Sequence, residues 1–91
     1  MTWQIRYAKT FYKELARLPL KTRLQIEAFA FGDDMKENPF GSGKLEKLSG
    51  YSEYYKARFG VYRVGLRVDA TEQVVEFRRV RHRRDIYRKF P

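Results

Sequence analysis

The sequence contains no cysteine, which excludes disulfide bridges and thiolate metal sites. No apolar run approaches the roughly 20 residues that a membrane-spanning helix needs. The first six residues also lack the apolar core of a signal peptide. Internal repeats, glycine-rich phosphate loops, nucleophile elbows and clusters of metal ligands are missing as well. These absences predict a soluble, cytoplasmic protein that uses no metal, cofactor or membrane.

What the chain does contain is hydrophobic residues and positive charge. Its 91 residues are 43% hydrophobic and 16% aromatic, enough for one domain, residues 1–91, with a modest core. The net charge is +9, and residues 44–91 hold thirteen Lys/Arg against six Asp/Glu. Such an excess favours an anionic partner: RNA, DNA or an acidic protein. Anionic lipid is the weakest of these, because no long amphipathic helix carries the charge.

The first half of the chain predicts one strand and two helices. Alternating apolar and polar residues over Trp3–Tyr7 predict a short strand. Thr10 is expected to cap a helix that runs to about Leu18, where Pro19 breaks it. A second helix is expected from about Leu20 to Glu37, packed back on the first as a hairpin. Its predicted core stripe is Leu24, Ala28, Phe31 and Met35.

The second half predicts a β-meander, with a short extended piece between Leu45 and Leu48 ahead of it. Three strand-like runs, Tyr54–Phe59, Val61–Asp69 and Gln73–Val80, are joined by short turns. Short connections imply antiparallel neighbours. The expected fold class is α+β: two N-terminal helices packed on a twisted antiparallel sheet, followed by a short C-terminal helical segment.

The alternation also assigns faces to the strands. Apolar residues of the first two meander strands are expected to face the helices: Tyr55, Ala57, Phe59, Tyr62, Val64, Leu66 and Val68. Lys56, Arg58, Arg63 and Arg67 then lie together on the opposite face. For the last strand, the alternation does not decide which residues face the helices. Val75 and Phe77 are expected inward, whereas Val74 and Val80 are apolar on the other side.

The C-terminal tail is the most basic part of the chain. Residues 78–90 contain seven Lys/Arg and the only histidine, His82. Cutting RNA without a metal needs a base, cations on the phosphorane and a proton donor for the leaving oxygen. His82 suits proton transfer, Tyr87 suits stacking on a base, and arginines suit phosphate binding.

Simpler interpretations compete with this one. Charged residues line most exposed sheet faces, so composition alone favours a solvated surface for these cations. Phe90 is expected to anchor the tail on the sheet, and Asp85 to cap a short helix. Tyr51, Tyr54 and Tyr55, with Tyr62, are expected to serve core and edge packing.

The chain resembles the RelE/ParE toxins of bacterial toxin–antitoxin pairs over nearly its whole length. The resemblance is carried by Lys-Leu-Glu-Lys-Leu-Ser-Gly (44–50), by Tyr55–Val64 with its Tyr-Arg-Val strand, and by the His-Arg-Arg-Asp-Ile-Tyr tail (82–87). It implies a microbial RNase-like fold. It also implies one of two activities: RelE-type members cut mRNA in the ribosomal A site, and ParE-type members poison DNA gyrase.

The resemblance further implies site residues. The implied catalytic set is Lys56, Arg58, Arg63, His82, Arg83 and Tyr87, with RNA contacts from Arg67, Arg78, Arg81 and Arg84. Lys56 would be the base or a phosphate clamp, since the second basic position of the strand is Arg58 here and lysine in the best-known type. Arg63 would stabilise the phosphorane, Arg83 or His82 would serve the leaving group, and Tyr87 would stack on a base.

The implied partners follow from the same resemblance. They are an acidic RelB-like antitoxin, the ribosome with mRNA in its A site, and operator DNA through the antitoxin complex. Lys56 with Arg58, and Tyr87 after Asp85, favour metal-independent RNA cleavage over gyrase inhibition.

Overall fold

The computed structural model describes residues 2–91. They form a five-stranded sheet with the strand order β1-β5-β4-β3-β2. One face of this sheet is covered by helices α1 to α3, and the other carries the short helix α4. The elements are β1 (Gln4–Tyr7), α1 (Lys9–Leu15), α2 (Leu20–Phe31), α3 (Asp33–Glu37), β2 (Glu46–Lys47), β3 (Tyr54–Phe59), β4 (Tyr62–Asp69), β5 (Val74–His82) and α4 (Ile86–Lys89).

The predicted meander is confirmed, because β3, β4 and β5 pair antiparallel in sequence order and β2 adds antiparallel to β3. The sheet as a whole is mixed and not purely antiparallel. β1 pairs parallel with the first half of β5. Two parallel strands cannot be joined by a tight turn. Here the long connection between β1 and β5 contains the three helices and strands β2 to β4. The second half of β5 is left with an open edge beside α1.

The core lies between the sheet and the three N-terminal helices. The alternation of β3 and β4 is confirmed, since Ala57 and Phe59 on β3 are buried against the helices. β1 is fixed to α2 by the Tyr7 hydroxyl, which donates a 2.6 Å hydrogen bond to the Ala30 carbonyl. The other buried members of this core include Phe11, Leu15, Ile26, Met35, Val64, Leu66, Val68, Val75, Phe77 and Val80.

A β-bulge in β5 resolves the ambiguous phase of the last strand. Gly65 is opposite Arg79 and Leu66 is opposite Phe77, so Arg78 is an extra residue without a partner on β4. The extra residue reverses the alternation beyond it. Val80 therefore joins Phe77 in the core, and the expectation that Val80 lies on the other face is wrong.

The predicted core stripe of the second helix is wrong in three of its four positions. α2 ends at Phe31, because the backbone is extended at Gly32, and α3 forms a separate turn. Ile26 and Ala30 are the buried residues of α2, and Met35 is the stripe position that is buried. Leu24 and Phe31 are 53% and 41% exposed; Ala28 is exposed too. Apolar residues lie on both sides of this helix. The spacing of three and four residues therefore could not show which side is buried, and the prediction chose the exposed one.

Two helix-capping predictions also fail. The cap of α1 is Ala8, without a side-chain hydrogen bond, and Thr10 lies inside the helix. α1 ends at Leu15, three residues earlier than expected. Asp85 does precede α4 at the cap position, but its side chain makes no capping hydrogen bond.

Helix α4 packs on the sheet face opposite the other helices, which we call the outer face. Ile86 and Phe90 are buried there against Leu48 and the half-buried Tyr54. Gly65 provides the space, because a Cβ on it would lie 2.8 Å from Cγ of the Phe90 ring. The predicted anchoring role of Phe90 is confirmed.

Across residues 2–91, no helix combines the length and the apolar character needed to cross a lipid bilayer.

Candidate functional site

Three arginines lie side by side across the outer face. Arg58 on β3 is the cross-strand partner of Arg63 on β4, and Arg63 is in turn the partner of Arg81 on β5. Directly opposite residues of neighbouring strands share a face and have Cβ atoms about 5 Å apart. The β5 bulge is essential to this row, because it moves Arg81 to the outer face. We call these three residues the arginine row.

Lys56 lies next to the arginine row and is joined to the C-terminal helix. Its Nζ donates a 3.0 Å hydrogen bond to the hydroxyl of Tyr87 and lies 5.4 Å from the centre of that ring. Tyr87 is 53% exposed. The structure thus confirms that α4 brings Tyr87 to the basic strand, and it leaves Tyr87 about half exposed.

The carboxylate of Glu46 lies beside Lys56 and Arg58, and the sequence analysis did not identify it as a site residue. Glu46 on β2 is the cross-strand partner of Lys56. Its Oε1 lies 3.0 Å from Nε of Arg58. Both members of the ion pair are about half exposed, so the pair contributes little to stability and can exchange for another anion. The Lys-Leu-Glu-Lys-Leu segment contained this signal, but only the β2–β3 register places Glu46 beside Lys56.

Arg63 is held in place by the turn between β3 and β4. Its Nη1 donates hydrogen bonds of 2.7 and 2.9 Å to the carbonyls of Gly60 and Tyr62. The backbone N–H of Arg83 donates to the Val61 carbonyl of the same turn. Arg83 is exposed, and this contact places its backbone at the turn that fixes Arg63. The backbone of Arg83 therefore lies at the turn that holds Arg63, the middle residue of the arginine row.

Arg81, at one end of the row, is bound at the open edge of β5 by Glu14 of α1. Glu14 of α1 accepts hydrogen bonds from the N–H of Val80 and from the guanidinium groups of Arg79 and Arg81. Burial by itself would raise the pKa of Glu14. The hydrogen bonds and the positive charge of Arg79 outweigh it, and they lower that pKa below its ordinary value. Arg81 is thus tied to Glu14, 3.0 Å away, and is less free to bind an external anion.

His82 is not brought to Lys56. It is the cross-strand partner of Tyr62, and its ring meets the Tyr62 ring edge-on at 5.8 Å. Tyr62 follows the alternation of the core residues of β4, so His82 lies on the helix side of the sheet. There it lines a groove with Leu18 and Glu14. Its Nδ1 accepts a 3.1 Å hydrogen bond from the N–H of Arg84.

The other arginines expected at RNA have separate positions. Arg67 forms a 2.7 Å ion pair with Glu53, and Arg78, at the bulge, forms a 3.4 Å pair with Glu76. Arg84 is exposed in the turn before α4. Two of these three cations are therefore partly neutralised by a neighbouring acid.

Taken together, the cluster offers cations, one carboxylate and an exposed aromatic ring on one face. Cations can bind phosphate, and a carboxylate can accept a proton. Elsewhere in the same residues, 2–91, no group of three His, Asp or Glu side chains gathers as metal ligands. The cluster comprises Glu46, Lys56, Arg58, Arg63 and Tyr87, and we call it the outer-face cluster.

The fold is the one that the resemblance implied, a small α+β domain whose basic sheet face is covered at one side by a C-terminal helix. The sequence agrees, because the model of the family described as "ParE toxin of type II toxin-antitoxin system, parDE" matches residues 5–87. The chain belongs to this RelE/ParE family of type II toxins, and the resemblance found in the sequence is confirmed.

Individual relatives support the RelE side of the family. Toxin RelE3 of Methanocaldococcus jannaschii is 37% identical over 90 residues, covering 97% of this chain and 99% of that protein. Toxin RelG of Mycobacterium tuberculosis is 36% identical over 91 residues, covering 98% of this chain and 100% of that protein. The archaeal RelE–RelB complex from Pyrococcus horikoshii contains a chain that is similar with a TM-score of 0.72 at 28% identity, covering 91% of this chain and 97% of that one.

Proposed function

We propose that this toxin is a metal-independent endoribonuclease that cuts mRNA in the A site of the ribosome and so inhibits translation. The observation that carries the proposal is the outer-face cluster, in which Lys56 is bonded to Tyr87 and Glu46 is bonded to Arg58. The groups that such a reaction needs therefore lie on one face, within a few ångströms of one another.

In the proposed reaction the 2′-oxygen of a nucleotide attacks the adjacent phosphorus. The 2′-O–P bond forms, the P–O5′ bond breaks, and the products are a 2′,3′-cyclic phosphate and a 5′-hydroxyl. Arg58 and Arg63 bind the phosphate oxygens and stabilise the negative charge of the phosphorane. Arg63 can do this without reorganisation, because the turn carbonyls already fix its guanidinium.

The proton acceptor in this proposal is Glu46, which revises the role expected for Lys56. A carboxylate has oxygens that can take the 2′-hydroxyl proton, whereas an ammonium has three donors and no acceptor. The phosphate would replace Glu46 as the partner of Arg58, which frees the carboxylate for the 2′-hydroxyl. Lys56 then donates a proton to the leaving 5′-oxygen, and Tyr87 stacks on a base and keeps Lys56 in position.

Arg83 is proposed as a further phosphate contact, because its backbone lies at the turn that holds Arg63. Arg67, Arg78 and Arg84 are proposed to contact the RNA backbone around the cut. The RNA contact expected for Arg81 is not proposed, because Glu14 holds its guanidinium. His82 is left out of the reaction, since it faces the groove beside α1.

The proposed partners are the ribosome with its mRNA, in the cytoplasm, and an acidic antitoxin of the RelB kind. The positive charge of the chain supports both partners. The antitoxin is also supported by the similar chain from Pyrococcus horikoshii, which was solved as a RelE–RelB complex. Operator DNA would be contacted through the antitoxin complex.

Inhibition of DNA gyrase is the alternative function. It is the activity of ParE-type toxins, and the family model that matches residues 5–87 is named after a ParE toxin. Two assays with the purified toxin separate these functions. An RNA-cutting toxin stops protein synthesis in a cell-free translation system and leaves the supercoiling activity of gyrase unchanged. Inhibited supercoiling with normal translation would overturn the proposal and support the alternative.

A further inference from the structure

A cleft opens beside Lys56 on the outer face, between α4 and the turn that follows β2. Its volume is about 420 Å³, which lies within the usual range for small-ligand sites. Tyr87 lines it from α4 and Tyr51 lines it from the turn. Both tyrosines are about half exposed, at 53% and 47%. Two aromatic rings and the Lys56 ammonium thus share one open cavity.

The sequence after β2 fixes Tyr51 in this position. The chain turns at Leu48–Tyr51, where the N–H of Tyr51 donates to the Leu48 carbonyl. Gly50 has a φ of +85°, a backbone conformation that glycine adopts without strain. The Tyr51 ring then packs edge-on against Tyr54, at 5.7 Å between ring centres.

A second aromatic contact fixes Tyr54, the residue on which the Tyr51 ring packs. Tyr54 packs edge-on against the buried Phe90, at 5.5 Å between ring centres. Tyr51 is therefore supported by packed side chains on one side while its remaining surface faces the cleft. The contact with Tyr54 confirms the expectation that Tyr51 serves edge packing, and the exposed half of the residue remains free to contact a ligand.

The charged residues around the cleft indicate that it binds an anionic ligand. Lys56 and Arg88 line the cavity, and no Asp or Glu is among its lining residues. Exposed aromatic rings next to cations are the usual platform for single-stranded nucleic acid, because bases stack on the rings while cations bind the phosphates. A cavity that is aromatic, cationic and continuous with Lys56 fits one nucleotide of single-stranded RNA.

We infer that this cleft binds the nucleotide beside the cleaved phosphate, with its base against Tyr51 and Tyr87 and its outer phosphate at Arg88. This inference rests on the proposed function, because Lys56 belongs to both sites. Tyr51 is then a substrate-binding residue in addition to the outer-face cluster.

The test compares Tyr51→Ala and Tyr51→Phe in cleavage of mRNA on programmed ribosomes. Tyr51→Ala removes the ring and is expected to raise KM about tenfold with kcat changed less than twofold, because stacking binds substrate and not the reacting atoms. Tyr51→Phe keeps the ring and should retain wild-type KM. Tyr12→Ala is the matched control, since Tyr12 is also 47% exposed but lies on α1. Wild-type KM in a folded Tyr51→Ala variant would overturn the inference.

A crosslinking measurement separates this inference from the proposed function. The probe is ribosome-bound mRNA with 5-iodouridine beside a 2′-deoxynucleotide, which the wild-type toxin cannot cut. Crosslinks mapped by mass spectrometry to Tyr51 or Tyr87 support the cleft, and crosslinks found only elsewhere overturn it. If natural mRNA is not cut, the proposed function fails, whatever the crosslinks show. If Tyr51→Ala weakens antitoxin binding and leaves cleavage unchanged, the cleft serves the protein partner and the inference is wrong.

Discussion

Lys56 on β3 and Tyr87 on α4, 31 positions apart, are joined by a 3.0 Å hydrogen bond on the outer face of the sheet. The bond ties the last helix to the strand that carries two of the basic residues of the outer-face cluster. It also fixes the Lys56 ammonium in front of a ring that remains half exposed. The C-terminal helix is therefore part of the proposed site, and its packing is expected to influence activity.

Removing only the Tyr87 hydroxyl tests this bond. Tyr87→Phe keeps the ring for stacking but leaves Lys56 without its partner, so we expect kcat for mRNA cleavage to fall about tenfold with little change in KM. Lys56→Ala, which removes the proposed acid, should cost about 100-fold or more. Tyr12→Phe is the control on the helix side. Wild-type kcat in Tyr87→Phe would show that the hydrogen bond has no part in the reaction.

Glu46 is predicted to act as the base. Glu46→Gln removes the proton acceptor, so kcat should fall by about 10²- to 10⁴-fold. Glu53→Gln is a close control, because Glu53, just before β3, forms a similar ion pair with Arg67 of β4. A faster Glu46→Gln enzyme would contradict the role, since it would mean that Glu46 only competes with phosphate for Arg58.

Glu14 is predicted to stabilise the fold in a pH-dependent way. Its side chain is only 12% exposed and binds Arg79, Arg81 and the open edge of β5. Glu14→Gln should lower the free energy of unfolding at pH 7 by about 1–3 kcal/mol. The pKa of Glu14 is lowered by folding, so its contribution is complete above the unfolded pKa of about 4.3 and is lost as the pH falls through the folded pKa.

The measurement is chemical denaturation of both proteins between pH 7 and pH 3. The difference between wild type and Glu14→Gln should be constant down to about pH 5 and should shrink below it. Glu27→Gln is the control, because the 3.8 Å pair of Glu27 with Arg23 is more exposed and should contribute less than about 1 kcal/mol. A difference that grows towards low pH would contradict the account.

Gly65 is predicted to be required for the position of α4. In Gly65→Ala the new methyl group would lie 2.8 to 2.9 Å from three atoms of the Phe90 ring. We expect a loss of about 1–3 kcal/mol in the free energy of unfolding, from overpacking. In a Phe90→Ala background the same substitution should be nearly neutral, because the ring is gone. An equal cost in both backgrounds would mean that the strand, and not the ring, excludes alanine.

The basic strand of the site is predictable from sequence for a local reason. The two-residue period of β3 and β4 places Lys56, Arg58 and Arg63 opposite the buried Ala57 and Val64, whatever the rest of the chain does. The tail residues Tyr87 and Phe90 could also be assigned to the sheet, because apolar and aromatic side chains in a basic tail need a surface on which to pack.

The positions of His82, Arg81 and Glu46 depend on pairing between strands that are distant in sequence, so they could not be predicted from local patterns. The bulge at Arg78 exists only relative to β4, and it alone moves His82 to the helix side and Arg81 into the arginine row. Glu46 joins Lys56 through the register of a strand of two residues, too short to recognise by pattern. On α2, Leu24 and Ile26 are both apolar, and only the position of the sheet decides which of them is buried.

Primer extension on a defined mRNA held in ribosomes with an empty A site tests the central claim most directly. The wild-type toxin is expected to produce one cut within the A-site codon, leaving a 5′-hydroxyl on the downstream fragment. Arg63→Ala and Lys56→Ala should bind the same ribosomes but leave the mRNA intact. An uncut mRNA at saturating, folded wild-type toxin would contradict the account, as would equal cutting by the two variants.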